Sequence, residues 1–280
     1  MYQISFFSVK IIEVVNALER FAPLPLQEDY DNAGLQVGLT AADVSGALLC
    51  LDVTEQVVDE ALQKGCNLIV SHHPLIFHRL SCISDADYVQ RTVMKAIEHH
   101  VTIVAMHTNM DAARGGVNYK IAEKMGLTSV SFFGKTQQAT TAPDATGQTA
   151  VVEGGEGVVG DFTTPMAADD FLLMLKKTFE VECVMANELL RRPIRKVAVC
   201  GGAGDFLLPA AISAGADAFV TGEMHYHQYF GYEQQLQIAV IGHYQSEQYT
   251  KEIFRDIITK ACPGVRCEMS EINTNPILYI

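Results

Sequence analysis

The chain has no apolar run long enough to cross a bilayer, no Cys-x-x-Cys pair and little positive charge. The first absence excludes a membrane-spanning helix, which needs about 20 apolar residues in succession. Seven cysteines, an odd count without paired spacing, argue against a disulfide framework. They suit a reducing cytosol, where Cys50 and Cys200 read as strand core. The opening residues, MYQISFFSVK, lack the basic segment, long apolar segment and small-residue cleavage site of a secretory leader. A cytoplasmic location is therefore expected. Twenty Lys and Arg against 33 Asp and Glu leave a formal charge of −13, which weighs against a nucleic-acid backbone as partner. It leaves room for a phosphorylated small substrate, because bound cations supply local positive charge. With 280 residues the chain has ample length for a core, in one large domain or two small ones.

What is present is a repeated chemical device. VTIVAMHTNMD and LQIAVIGHYQSE are apolar, strand-like runs ending in His107 and His243, each with a carboxylate four residues on, Asp111 and Glu247. A third run, CNLIV, ends in SHHP and adds His72 and His73. Four imidazoles and two carboxylates at three strand ends point to a metal centre, and an acid can bridge two ions in a dinuclear hydrolytic site. Nitrogen with carboxylate ligation fits zinc, manganese, iron or cobalt better than calcium, which takes oxygen cages. Taken singly, each acid reads as a solvated surface carboxylate and SHHP as a polar turn; together they read as ligands. Neighbouring strand residues face opposite ways, so Pro74 must break the strand if His72 and His73 are to share a pocket. A spacing of four brings His and acid to one face of a helical turn, or lets a loop fold back.

The chain is also duplicated. GALLCLDVTEQVVDEALQKGCNLIVSHH and KVAVCGGAGDFLLPAAISAGADAFVTGE each read strand, turn, amphipathic helix, Gly, strand. Cys50 matches Cys200 and Gly65 matches Gly215 at an offset of 150, while His107 matches His243 at 136. The glycines stand where a helix stops before a strand, at the C′ position that favours positive φ. Strands alternating with helices predict an α/β fold with a mostly parallel sheet, and a site at the strand carboxyl ends. The expected organisation is a first repeat over 1–133, a linker over 134–157 and a second repeat over 158–280, with both repeats sharing one site. Ser8 is a candidate cap for a helix over Lys10–Phe21, and Thr164-Pro165 for a helix through Phe179.

The other histidines carry less. His99 and His100 follow a helix and complement its dipole, and His78 reads as structural. His225 and His227, in TGEMHYHQ, follow the strand end that matches SHH; they either contact substrate in the same crevice or serve structure. CGGAGD around Gly202 lacks the Lys-Ser/Thr of a P-loop and the spacing of a dinucleotide fingerprint. Close helix–strand packing explains it, with phosphate binding as a secondary reading.

These segments together resemble the Nif-three-like family, also named GTP cyclohydrolase I type 2. The resemblance runs through DYDNAGLQVG, SHHPLIF, HTNMDAARGGVN, CGGAGD, TGE and GHYQSE, nearly the whole chain. Tyr30 stands where the family pattern often has Trp, and the chain resembles the short form, without the domain that long forms insert between the repeats. The resemblance implies two intertwined α/β repeats around a dinuclear centre. His72, His73, Asp111, His243 and Glu247 would be ligands of two divalent ions, with His107 beside them as second shell or catalytic proton shuttle. It also implies a homo-oligomer, commonly a hexamer, and a small-molecule, GTP-like substrate opened at C8 of guanine. Hydrolysis of another bond, such as a phosphoester, is the neighbouring reading. A non-enzymatic metal scaffold, metal chaperone or regulatory binding protein is the alternative of a different class.

Overall fold

A computed structural model describes residues 8–144 and 146–280, so the MYQISFF opening lies outside them. In chain order the elements are α1 (Ile11–Phe21), β1 (Gly34–Val37), β2 (Ala47–Cys50), α2 (Glu55–Gln63), β3 (Leu68–Ser71), α3 (Tyr88–Glu98) and β4 (Thr102–Ala105). There follow α4 (Thr108–Ala112), α5 (Val117–Met125), β5 (Thr128–Thr140), β6 (Val151–Met166), α6 (Ala168–Thr178), β7 (Met185–Ala186) and β8 (Ile194–Ala203). The last are α7 (Leu208–Ser213), β9 (Ala218–Glu223), β10 (Gln237–Val240), α8 (His243–Glu247), α9 (Thr250–Ala261) and β11 (Cys267–Met269).

The chain divides into two compact units. One holds the residues through Met110 with Thr140–Val151 and Lys251–Thr274; the other holds Asp111–Ala139, Val152–Thr250 and Asn275–Ile280. The first unit carries a sheet of order β1-β4-β3-β2-β11, in which only β1 is antiparallel to its neighbour. The second carries β5-β6-β8-β9-β10-β7, with β8, β9 and β10 parallel, β6 antiparallel to β8 and β7 antiparallel to β10. Strands β2, β3 and β4 are buried throughout, which explains their continuous apolar runs. Leu48, Ile69 and Ile103 pack with Val57, Ala61 and Val93 of α2 and α3. In the second unit Ala198, Phe219 and Ile238 pack with Leu208 and Ala211 of α7. Each large side chain fully buried in this way contributes about 1.5–3 kcal/mol.

The duplication is visible in the register. Ala47 pairs with Leu68 in the first sheet and Val197 with Ala218 in the second, both at the offset of 150. Gly65 and Gly215 both follow a helix end at positive φ, +65° and +71°. The third strands behave differently. Met106 N–H donates to Ser71 O, and Ile241 N–H to Thr221 O, an offset of 135 between the repeats. The second repeat therefore has one extra residue before its histidine. Gly242, at φ +96°, takes up that residue, so the offset of 136 between His107 and His243 is not strand register.

Several local expectations are corrected. Residues 134–157, expected as a linker, are mostly the ends of the long strands β5 and β6. The Gly-rich EGGEG stretch serves as strand because β5 rings need the space: a Cβ on Gly155 would meet Phe132 at 2.8 Å, and one on Gly157 would crowd Phe133. The cap of α1 is Lys10, not Ser8; its N–H donates to Glu13 at 2.7 Å. Thr164 and Pro165 end β6 where its pairing with β8 becomes irregular, and the next helix starts at Ala168. Finally, β11 joins the first sheet, beside β2, although it lies in the sequence of the second repeat. No helix among the described residues is long and apolar enough to cross a membrane.

Candidate metal centre

In the first unit β3 ends at Ser71, and the chain turns at once. His72 N–H donates to Leu51 O at 3.1 Å and His73 N–H to the same carbonyl at 2.9 Å, while Ser71 Oγ closes onto His73 O. Two successive amides on one carbonyl abolish the strand alternation, and Pro74 keeps it from resuming. The two rings consequently lie on one side, 4.8 Å apart. His107, after β4, brings its ring to 5.3 Å from each. One ligand-capable atom from each of His72, His73 and His107 lies within 4.8 Å of the other two, a spacing that can hold a metal ion.

The Nδ1 atoms show why these imidazoles suit ligation. His72, fully buried, sets Nδ1 2.9 Å from Met106 O. His73 Nδ1 lies 2.7 Å from Asp52, and His107 Nδ1 lies 2.7 Å from Asp31. A carbonyl or carboxylate can only accept, so each Nδ1 carries a proton, and Nε2 is the nitrogen left for a metal. That is the tautomer and the outer-shell support found at metal-binding histidines. The carboxylates are held in turn: Asp31 accepts from Thr108 N–H and Oγ, and Asp52 from Thr274 Oγ1. Burial pushes the Asp31 carboxyl up, but the His107 hydrogen bond and charge, with Thr108 and Asn32, bring it down to about 2. Asp52 is lowered by the same balance, with His73 and Thr274 outweighing burial.

The second unit holds the rest of the expected ligands. His243 opens α8 and Glu247 ends it, placing His243 Nε2 3.1 Å from Glu247 Oε2. A carboxylate oxygen of Asp111, in α4, lies within 4.8 Å of one of Glu247, whose side chain is 3% exposed. Two carboxylates this close repel unless a proton or cation lies with them, so this donor set also fits a divalent ion. Glu223, the residue matching His73 in the repeat, places Oε1 3.1 Å from His243 Nδ1, within ion-pair distance. Asn118 Nδ2 donates to Asp111 O, and its Oδ1 accepts from Gly201 N–H.

The remaining candidates separate. Gly202, at φ +59°, lies against Glu247: a Cβ there would collide with the carboxylate. Its N–H donates to Ser246 Oγ at 3.1 Å, so the glycine serves close packing and its amide is already engaged. His225 lines a cavity of about 270 Å³ with Glu223, His243, Asp205, Met224 and Tyr279. A hydrogen bond to Asp205 at 2.7 Å raises its pKa above the ordinary value. His227 is not in that lining; its ring stacks on Phe230. The orienting residues Asp31, Asp52, Glu223 and Asn118 are absent from the sequence expectations.

A family model described as Duf34/NIF3 (NGG1p interacting factor 3) matches residues 9–276. The chain belongs to the DUF34/NIF3 family. A relative from Clostridium acetobutylicum named "GTP cyclohydrolase 1 type 2 homolog" is 31% identical over 242 residues, covering 86% of each chain. The crystal structure of a Staphylococcus aureus hypothetical protein matches at a TM-score of 0.85 and 29% identity, covering 98% of this chain and 100% of that one. A Bacillus cereus protein described as related to NIF3 matches at 0.83 and 25%, covering 97% and 99%. The α/β fold with two mixed sheets is thus shared with DUF34/NIF3 structures.

Proposed function

We propose that the chain is a metal-dependent hydrolase holding two divalent ions and acting on a small, nucleotide-like substrate. The observation that carries this reading is the set of three imidazoles in the first unit, each with Nδ1 held by an acceptor and with one ring nitrogen within 4.8 Å of those of the other two. His72, His73, Asp111, His243 and Glu247 are the proposed ligands. Three nitrogens and two carboxylates suit zinc, iron, manganese or cobalt. When bound, such ions supply Lewis acidity and bring the pKa of water towards about 7.

The protein's own groups do the rest. Asp52 fixes the ring of His73 by a hydrogen bond, and the Glu223 carboxylate lies within ion-pair distance of His243. His107, its Nδ1 held by Asp31 at 2.7 Å, is the proposed proton carrier, working through Nε2. Its grouping with His72 and His73 supports a second role for His107, as a further ligand. His225 reaches substrate from the cavity it shares with His243.

The printed name of the clostridial relative makes GTP the first substrate to try. Hydrolysis at C8 of guanine opens the imidazole ring and releases formate. Metal-loaded protein incubated with GTP should yield formate and ring-opened product; no turnover across GTP, other nucleotides and phosphoesters would remove the hydrolase reading. The family description, an interacting factor, favours a second one, a metal-stabilised regulatory binding protein. On that account Glu247→Gln lowers metal content and stability while no substrate turns over. A cytoplasmic location is part of the proposal, resting on the odd, unpaired cysteine spacing of the sequence. Assembly as a homo-oligomer, a hexamer by resemblance, is read by sedimentation.

A further inference from the structure

We infer that Tyr30 and Phe77 form a stacking platform for a nucleobase beside the histidine cluster of the first unit. The inference deepens the hydrolase reading and rests on it for the kind of substrate. The two ring centroids are 6.4 Å apart at 58°. Phe77 in turn meets the His107 ring edge-on, 6.1 Å away at 78°, and is flanked by His78 at 5.0 Å. Exposure falls along this row, from 67% at Tyr30 and 38% at Phe77 to 15% for the His107 side chain. The row leads from solvent to the proposed proton carrier.

Single exposed aromatics are ordinary on a protein surface. The backbone beside these two is tied down by neighbouring side chains. Asp31, next to Tyr30, is the residue that grips His107. Asn32 Nδ2 donates to Ile76 O at 2.6 Å, immediately before Phe77. Gln36 Oε1 accepts from Ile76 N–H at 3.1 Å, and its Nε2 donates to Asn32 O at 2.6 Å. The two loops are thereby fixed to each other and to His107, so the backbone that carries both rings is already ordered before a ligand ring joins them. An aromatic face attracts any flat heterocycle and reads no hydrogen-bond pattern, so the platform takes the base and tolerates its identity.

The chain contains no tryptophan, so Tyr30→Trp places a single indole reporter at an exposed position that accepts the larger ring. The full chain with this substitution is titrated with guanosine, adenosine and ribose 5-phosphate. Guanosine and adenosine should both quench saturably, and ribose 5-phosphate should not. Adding Phe77→Leu should raise Kd for the nucleosides by about five- to a hundred-fold, and Phe77→Tyr should restore it. A response to ribose 5-phosphate equal to that of guanosine, no saturable quenching, or an unchanged Kd in Phe77→Leu would overturn the platform. The two readings fail separately. Nucleoside quenching without turnover of any nucleotide removes the hydrolase and keeps the platform. GTP turnover with unaltered KM in Phe77→Leu does the reverse.

Discussion

Asp31 and His107 are 76 residues apart in sequence, and their side chains meet at 2.7 Å. The other oxygen of Asp31 accepts from Thr108 N–H and Oγ, at the start of α4. One buried carboxylate thus sets both the ring of His107 and the turn that leads to Asp111. Asp31→Asn keeps the shape and removes the charge. Metal affinity should fall about 10- to 100-fold, measured by competition against a chelator, with the fold retained by circular dichroism. Unchanged affinity and unchanged turnover together would contradict the orienting role.

Gly202 and Gly215 both adopt positive φ, +59° and +71°, but only Gly202 has a neighbour in the way. Alanine at either site costs about 1–2 kcal/mol for the left-handed backbone. Gly202→Ala also displaces the Glu247 carboxylate, whereas nothing lies within 4 Å of a Cβ on Gly215. Both variants should melt several degrees lower, and only Gly202→Ala should lose metal. Equal metal content in the two, by elemental analysis, would contradict the role given to Glu247.

Glu60, on α2, is buried and accepts from Ser270 Oγ and Glu271 N–H, and it pairs with Lys64. Burial pushes its carboxyl up, but these partners bring it below the ordinary 4.5. A depressed carboxylate stabilises the fold above its unfolded value, and that contribution is lost as pH falls through the folded one. Stability should therefore decline below about pH 4.5 partly through Glu60. Glu60→Gln should cost about 1–3 kcal/mol at neutral pH and flatten the acid limb of a denaturant–pH series. An acid limb identical to wild type would contradict the assignment.

The strand-end histidines and the paired glycines were legible because each rests on a local pattern: an apolar run followed by an imidazole, or a helix stop before a strand. The residues that orient the imidazoles were not. Asp31, Asp52 and Glu223 are single carboxylates in turns and strand ends, and only the fold brings Asp31 to His107. Asp52 and Glu223 did carry a signal, since each closes an apolar strand as the histidines do. Strands β5 and β6 were hidden for another reason. Their outer stretches are largely exposed, so no buried face imposes alternation on the Thr, Gln and Gly that compose them. The extra residue at Gly242 was concealed because the His-x-x-x-acid spacing that follows it matches that of the first repeat.

The most direct measurement is the metal content per chain, by elemental analysis of protein purified without a histidine tag or chelator. The account predicts two transition-metal ions per chain, falling sharply in Asp111→Ala and in Glu247→Gln. Substoichiometric metal that reloading does not restore would contradict it.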